Sequence, residues 1–434
     1  MRISLFQGIL FGIFGLGAVI GLFVFATYTS NGSGKNAVGT VVIWGTLPKD
    51  ALQATLVAAG QVDASLKSVS YVEKSPATLV TDLAAAIATG SAPDLVLASQ
   101  EQLHALAKFI APVPLSTLSI NTFINTFVGE GRLFAAPDGT GYYGIPFLVD
   151  PLVLFSNRSI LSSSGVAQPP ATWEALTGLV PKTALLTPSR QITRALIALG
   201  TYNNIRNARG ILSSLFLQTG VPLSAYSPGG YLAADLGNGS GGASPGQAAL
   251  GFYTQFADPS KISYTWNSSL PDSRQAFLAG DLALYIGYAS ESRFFAAANL
   301  NLDFNVTPLP QRATAPEKSA YGLVYAFMIP RGAKNPAGAY QAAVLFTNSV
   351  EQTAAASATG LAPAVLSQLA PTPADPVAAV AYAEALYAGG WLSPEPAATD
   401  SVFSGMIMDV ISGRLNLQSA LVSAEQSLSS LLQR

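Results

Sequence analysis

From Thr40 onward, short apolar runs alternate with helix-length amphipathic stretches, the order expected of an α/β sheet. Residues 40–44 read as a buried strand ending in Trp44. A helix follows from near Pro48 to Gly60, then a polar-edged strand around 68–72. Ser75 offers a cap and Pro76 a first helical position, with Leu79, Leu83 and Ile87 on one face and Gly90 as the stop. Residues 94–98 form the next buried strand. Ser99 and Gln102 have capping-box spacing and predict a helix carrying Leu103, Leu106 and Ile110. Ligands commonly sit where a strand end meets a helix N-terminus in such sheets.

The middle of the chain predicts helices over 172–180, 192–200, 208–220 and 245–257, and another ending at Gly280. The Gly/Ser-rich stretch 227–246 reads as a functional loop. Strands are expected over 282–288, 302–308 and 322–329. The last hundred residues read as helices opened by Asn335, Ser349 with Gln352, Asp375, Asp400 and Asn416. No repeat of solenoid or propeller period is visible.

Ile9–Ala26 carries no charge, and its 18 residues would span about 27 Å as a helix, close to a bilayer's hydrocarbon core. Arg2 precedes it and Lys35 is the first charge after it, which places the short N-terminus inside. The expectation is a membrane anchor or signal segment over 1–28, contacting the membrane through residues 5–26. A flexible linker over 29–38 follows it. The alternative is a signal peptide cleaved after Ala26, although the run exceeds the usual signal core. Either way the rest of the chain is exported.

With 434 residues, two domains are the default. Half the residues are hydrophobic and 11% are charged. The 22 basic and 24 acidic residues are dispersed, so nucleic-acid binding has no electrostatic basis. The absence of cysteine excludes disulfides, thiolate metal sites and a lipid-modified cysteine anchor. His104, the only histidine, sits mid-helix where a solvent-facing structural role is expected, and no nucleophile elbow or phosphate-binding loop occurs. No cofactor or metal is expected. A glycosidase needs only two carboxylates, and Glu101, Asp150 and Glu291 lie near strand ends, so that alternative stays open. So does a structural envelope protein. Trp44, Tyr143 and Tyr288, also at strand ends, suit the stacking face of a sugar ring.

Several stretches together resemble family 1 extracellular solute-binding proteins, the group containing maltose-binding protein. They are residues 41–46, 92–99, 144–157, 165–174 with its Pro-Pro-Ala-Thr-Trp-Glu run ending at Glu174, 276–287 and 305–310, in family order. The resemblance implies a type II periplasmic-binding-protein fold of two α/β lobes, 39–149 with 291–347 and 150–290 with 348–434. Chain crossings are implied near 147–154, 287–291 and 347–349. It implies a non-enzymatic receptor, expected as a monomer, that closes on a small solute and delivers it to an ABC permease with a separate ATPase. Carried over by position, the cleft is lined by Trp44, Glu101, Tyr143, Asp150, Tyr231, Tyr288, Glu291 and Tyr325, with Trp266 and Trp391 as weaker candidates. No Arg or Lys falls at its strand ends, so a neutral oligosaccharide leads. Many bacterial members are lipoproteins; this chain has no cysteine to acylate, which leaves anchoring to the N-terminal helix.

Overall fold

The computed structural model describes residues 38–227, 230–237, 244–315 and 317–433. The expected membrane segment over 5–26 lies outside them. Among the described residues no helix is long and apolar enough to cross a membrane.

The elements that position the site are, in chain order, β1 (Val41–Gly45), α1 (Lys49–Val62), β2 (Val69–Glu73), α2 (Leu79–Ala88), β3 (Leu95–Ser99), β4 (Ile145–Asn157), α3 (Trp173–Thr183) and β5 (Ile192–Ile197). Then come α4 (Ala208–Gln218), β6 (Leu223–Tyr226), β7 (Leu232–Asp235), β8 (Leu282–Tyr288), α5 (Glu291–Ala298), β9 (Phe304–Pro308) and β10 (Ala320–Pro330). The chain ends with α6 (Pro336–Phe346), α7 (Ser349–Thr359), β11 (Ala362–Pro363), α8 (Pro376–Ala385), α9 (Pro396–Ile411) and α10 (Leu417–Leu432).

One long strand organises both halves. All of β4 is buried, as a nearly unbroken apolar run demands. Its first half pairs antiparallel with β10, from Phe327 opposite Ile145 to Gly322 opposite Pro151, and β10 pairs in turn with β3. Parallel pairing of β3, β1 and β2 completes this sheet. The second half of β4 takes new partners: β8 from Leu152 to Ser156 and β9 from Val153 to Asn157. Pro151, with no N–H to offer a ladder, sits where the partners change.

Each half has its own aromatic nucleus. Phe147, Phe327 and Phe346 pack with ring centroids 4.7–6.2 Å apart under α6. Phe155, Phe277, Tyr285 and Phe295 do the same in the second half at 5.0–6.4 Å.

These pairings correct several expectations. β9 and α5 pack with the second half, so the crossing expected near 287–291 comes after Pro308 instead. α7 packs on α1 and β11 pairs with Leu148–Val149, so the chain does not leave the first half near 347–349. Residues 192–197 are a strand parallel to β8, not a helix. The capping box at Ser99 does not form, and Gln100–Gln102 is a tight 3-10 turn before the single helical turn Leu103–Leu106. Within the expected 227–246 loop, β7 pairs back on β6 as a hairpin. Asn335, Asp375 and Asn416 cap helices as expected, whereas Asn348 and Glu395 take the roles assigned to Ser349 and Asp400.

Candidate solute-binding cleft

At the end of β3 the chain turns sharply and buries Gln100, Glu101 and Gln102 together. The Gln100 amide donates to Gly322 O at 2.9 Å and accepts from Val324 N at 2.8 Å, tying the turn to β10. Glu101 is held from the other half of the molecule. Arg209, in the first turn of α4, donates to it twice, Nε to Oε1 at 3.1 Å and Nη2 to Oε2 at 2.8 Å. The Tyr321 hydroxyl adds a third donor at 2.5 Å. Arg209 Nη1 also reaches Asp400 of α9 at 2.8 Å and Pro396 O at 3.1 Å, and Tyr202 donates to Asp400 at 2.6 Å. One guanidinium therefore joins a turn of the first sheet to two helices of the second half.

Beside this bridge lies a cavity of about 300 Å³, walled by residues 202–203 and 205–210, Tyr288 at the end of β8, and Asp400. α4 comes close because Gly210 has no side chain: a Cβ there would stand 2.9 Å from the Tyr288 hydroxyl and 3.1 Å from the Tyr321 ring. Burial and the charge of Glu101 push the Tyr288 hydroxyl well above its ordinary value, so it stays a donor.

Of the eight residues expected to line the cleft, Tyr288 walls this cavity and Glu101 abuts it through Arg209. Trp44 is partly buried on β1 with Lys74 Nζ 3.9 Å above its ring centroid. Tyr143, before β4, lies near Tyr226 of the β6–β7 hairpin, whose hydroxyl is pushed up by burial and by that neighbour. Tyr231 is 71% exposed at the hairpin end. Tyr325, on β10, is raised by burial and by the nearby charges of Asp150 and Glu101.

Asp150 and Glu291, expected in the cleft lining, are both hydrogen-bonded within the chain. Asp150 accepts from both the N–H (3.1 Å) and the hydroxyl (2.6 Å) of Ser290, and burial lifts its pKa to about 7. Glu291 accepts from Asn207 (2.7 Å), Tyr285 (2.6 Å) and Tyr288 N (3.0 Å), and burial raises it too. These two acids brace the junction between β4, β8 and α4. Trp266 and Trp391 are core residues at 1% exposure, their indoles bonded to Asn204 (3.3 Å) and Ser213 (3.1 Å). Sequence reasoning missed Arg206 and Arg209, because it searched strand ends and these lie on a helix start. His104 is half-buried, and burial and then Lys108 lower its pKa. Among the described residues no cluster of acids and histidine could hold a metal ion.

Glu130 is a further buried acid, with no hydrogen-bond partner on either oxygen. Burial, and then the charge of Glu101, raises it to about 8. Its folded pKa exceeds an unfolded value near 4.3, so its contribution to stability is complete below about pH 4 and is lost as pH rises towards 8. Glu130→Gln is therefore expected to flatten the fall in Tm between about pH 5 and about pH 9. Thermal melts across that range check this; parallel curves for the two proteins would show that Glu130 is hydrated.

Residues 63–383 match the model of a family described as bacterial extracellular solute-binding protein. The chain belongs to that family. This solute-binding protein finds no match among curated proteins. Its fold is shared by solved structures of low identity. The cyclic α-maltosyl-1,6-maltose binding protein of Arthrobacter globiformis has a TM-score of 0.72 at 15% identity, covering 91% of this chain and 99% of that one. The GacH receptor of Streptomyces glaucescens, solved unliganded and with acarbose, scores 0.66 at 17% identity over 91% and 98% of the two chains. The maltose/maltodextrin-binding domain MalE of Bdellovibrio bacteriovorus, bound to maltotriose, scores 0.64 at 17% identity over 91% and 100%. The solute-binding protein thus has the two-lobed α/β fold of periplasmic binding proteins, and its family is one of binders. The glycosidase and structural-envelope alternatives have no support from it.

Proposed function

We propose that this solute-binding protein is the sugar receptor of an ABC importer, and that solute lies between the lobes beside the Glu101–Arg209 bridge. The observation that carries the reading is the bridge itself: one cavity-wall side chain, Arg209, touches Glu101 across the junction as well as Asp400 on its own side. A solute contacting that wall is placed to bias the hinge, because contacts made only in the closed form shift the population towards it. The sugar-bound neighbours support the ligand class. Lobe one is proposed as 39–149 with 320–365, and lobe two as 150–310 with 366–434, following the strand pairings. Tyr202, Arg209, Tyr288 and Asp400 are the proposed contacts on lobe two, with Trp44, Tyr143 and Tyr325 facing them from lobe one. The closed form would dock as a monomer on a permease served by a separate ATPase.

Tyr288→Ala is expected to weaken sugar binding by one to two decades, as for an aromatic anchor worth about 1–3 kcal/mol. Titration calorimetry of the full-length protein checks this, and unaltered affinity would move the solute elsewhere. The proposal also keeps residues 5–26 as an anchor with the domain outside. Protease added to intact cells should then remove the domain; a domain protected until the cells are lysed would contradict it.

A further inference from the structure

We propose that the solute is a sugar acid, whose carboxylate docks on Arg206 in the cavity beside the bridge. This rests on the sugar-receptor reading above and narrows its ligand class. The argument is a count of which hydrogen-bonding groups on the wall are still available.

The carboxylates at and behind the wall are already engaged by donors of the chain. Asp400 takes hydrogen bonds from Tyr202 on one oxygen and Arg209 on the other, at 2.6 and 2.8 Å. Glu101, behind the wall, takes three, and Glu291 takes three. A neutral sugar presents hydroxyls that must donate as well as accept, and a cleft that recognises them needs free carboxylate or amide acceptors. Among the carboxylate and amide side chains of the wall, the acceptor lone pairs left over belong to Asn203, Asn207 and Asp400.

Donors are in surplus. Arg206 is exposed, and its guanidinium makes no ion pair or hydrogen bond among the described residues. The hydroxyl of Tyr288 likewise has no hydrogen-bond partner among the described residues, and Tyr288 walls the same cavity. Asn203 receives a hydrogen bond from Ser404 on its oxygen, at 2.9 Å, which leaves its amide N–H groups open. Among the described residues, the backbone N–H groups of Arg209 and Gly210 also find no acceptor. A wall of unspent donors around one unpaired guanidinium calls for a group that only accepts. The planar fork of Arg206 matches a carboxylate in two parallel bonds.

Arg209 does not supply the charge for this, since Glu101 and Asp400 already neutralise it. The cation left for the solute is Arg206. Lobe closure would strip water from that guanidinium, and an uncompensated charge in a closing cleft is unfavourable. A ligand carboxylate removes the penalty, whereas a neutral sugar leaves it in place. Closure is thus more favourable for the acid than for its neutral counterpart.

The test compares matched pairs on the full-length protein by titration calorimetry: galacturonate and glucuronate, with their disaccharides, against galactose, glucose and theirs. The expected result is at least tenfold tighter binding of the acids, weakening several-fold as salt rises from low to physiological strength. Arg206→Gln should collapse the acid-to-neutral affinity ratio towards one. Tyr288→Phe, which removes only a hydroxyl, should lower acid affinity with little change in Tm. Neutral sugars binding as tightly as the acids, or a ratio untouched by Arg206→Gln, would overturn the sugar-acid inference and leave the receptor standing. No binding by either class would overturn both.

Discussion

Replacing Arg209 with methionine is expected to destabilise the folded chain by about 3–5 kcal/mol, the loss typical of breaking a buried ion pair from one side. Glu101 is 8% exposed as a side chain, and the substitution strips two of its three hydrogen bonds. Tyr321 alone cannot replace the hydration that burial removes. Asp400 contributes little to the loss, because its side chain is 46% exposed and water replaces the guanidinium there. The double change Arg209→Met with Glu101→Leu should recover most of the loss, since no charge is then stranded. Urea unfolding midpoints of the single and double variants decide the matter. A single variant as stable as the parent would mean that Glu101 is reached by water.

Trp391→Ala and Trp266→Ala should each lower stability by about 3–5 kcal/mol, as large-to-small changes do in a packed interior. Both side chains are 1% exposed. Trp391 lies 6.0 Å from Phe403, and its loss also leaves the Ser213 hydroxyl without its indole donor. Trp44→Ala should cost clearly less, because that ring is only partly buried and its recorded polar neighbour is Lys74 in a cation–π contact worth about 1 kcal/mol. Denaturant midpoints rank the three. Trp44→Ala falling as far as Trp391→Ala would make Trp44 a core residue and remove it from the cleft.

The strands of the first sheet were legible because each is a short apolar run between turn residues, whereas β4 was marked only by its resemblance to the family's hinge strand. β5 was misread. Ile192–Ile197 mixes apolar and polar positions without a clean period of two, and it becomes a strand because β8 lies alongside to pair with it. The acids at strand ends were legible as residues but not as roles. Nothing local distinguishes a free carboxylate from one like Asp150, whose partner Ser290 is 140 positions away. Arg209 was illegible for the same reason. A cation in the first turn of a helix reads as solvated, and its carboxylate partners stand 108 and 191 positions distant. Long-range pairing leaves no periodic trace, so a reading built on periodicity finds strands and helices before it finds what joins them.

Native mass spectrometry of the full-length protein, purified without added sugar from cells grown on complex medium, bears most directly on the receptor reading. One noncovalent adduct of sugar mass per chain is predicted, released chemically unchanged on denaturation and lost from Tyr288→Ala. Protein free of any small-molecule adduct, or an adduct retained in full by that variant, would contradict it.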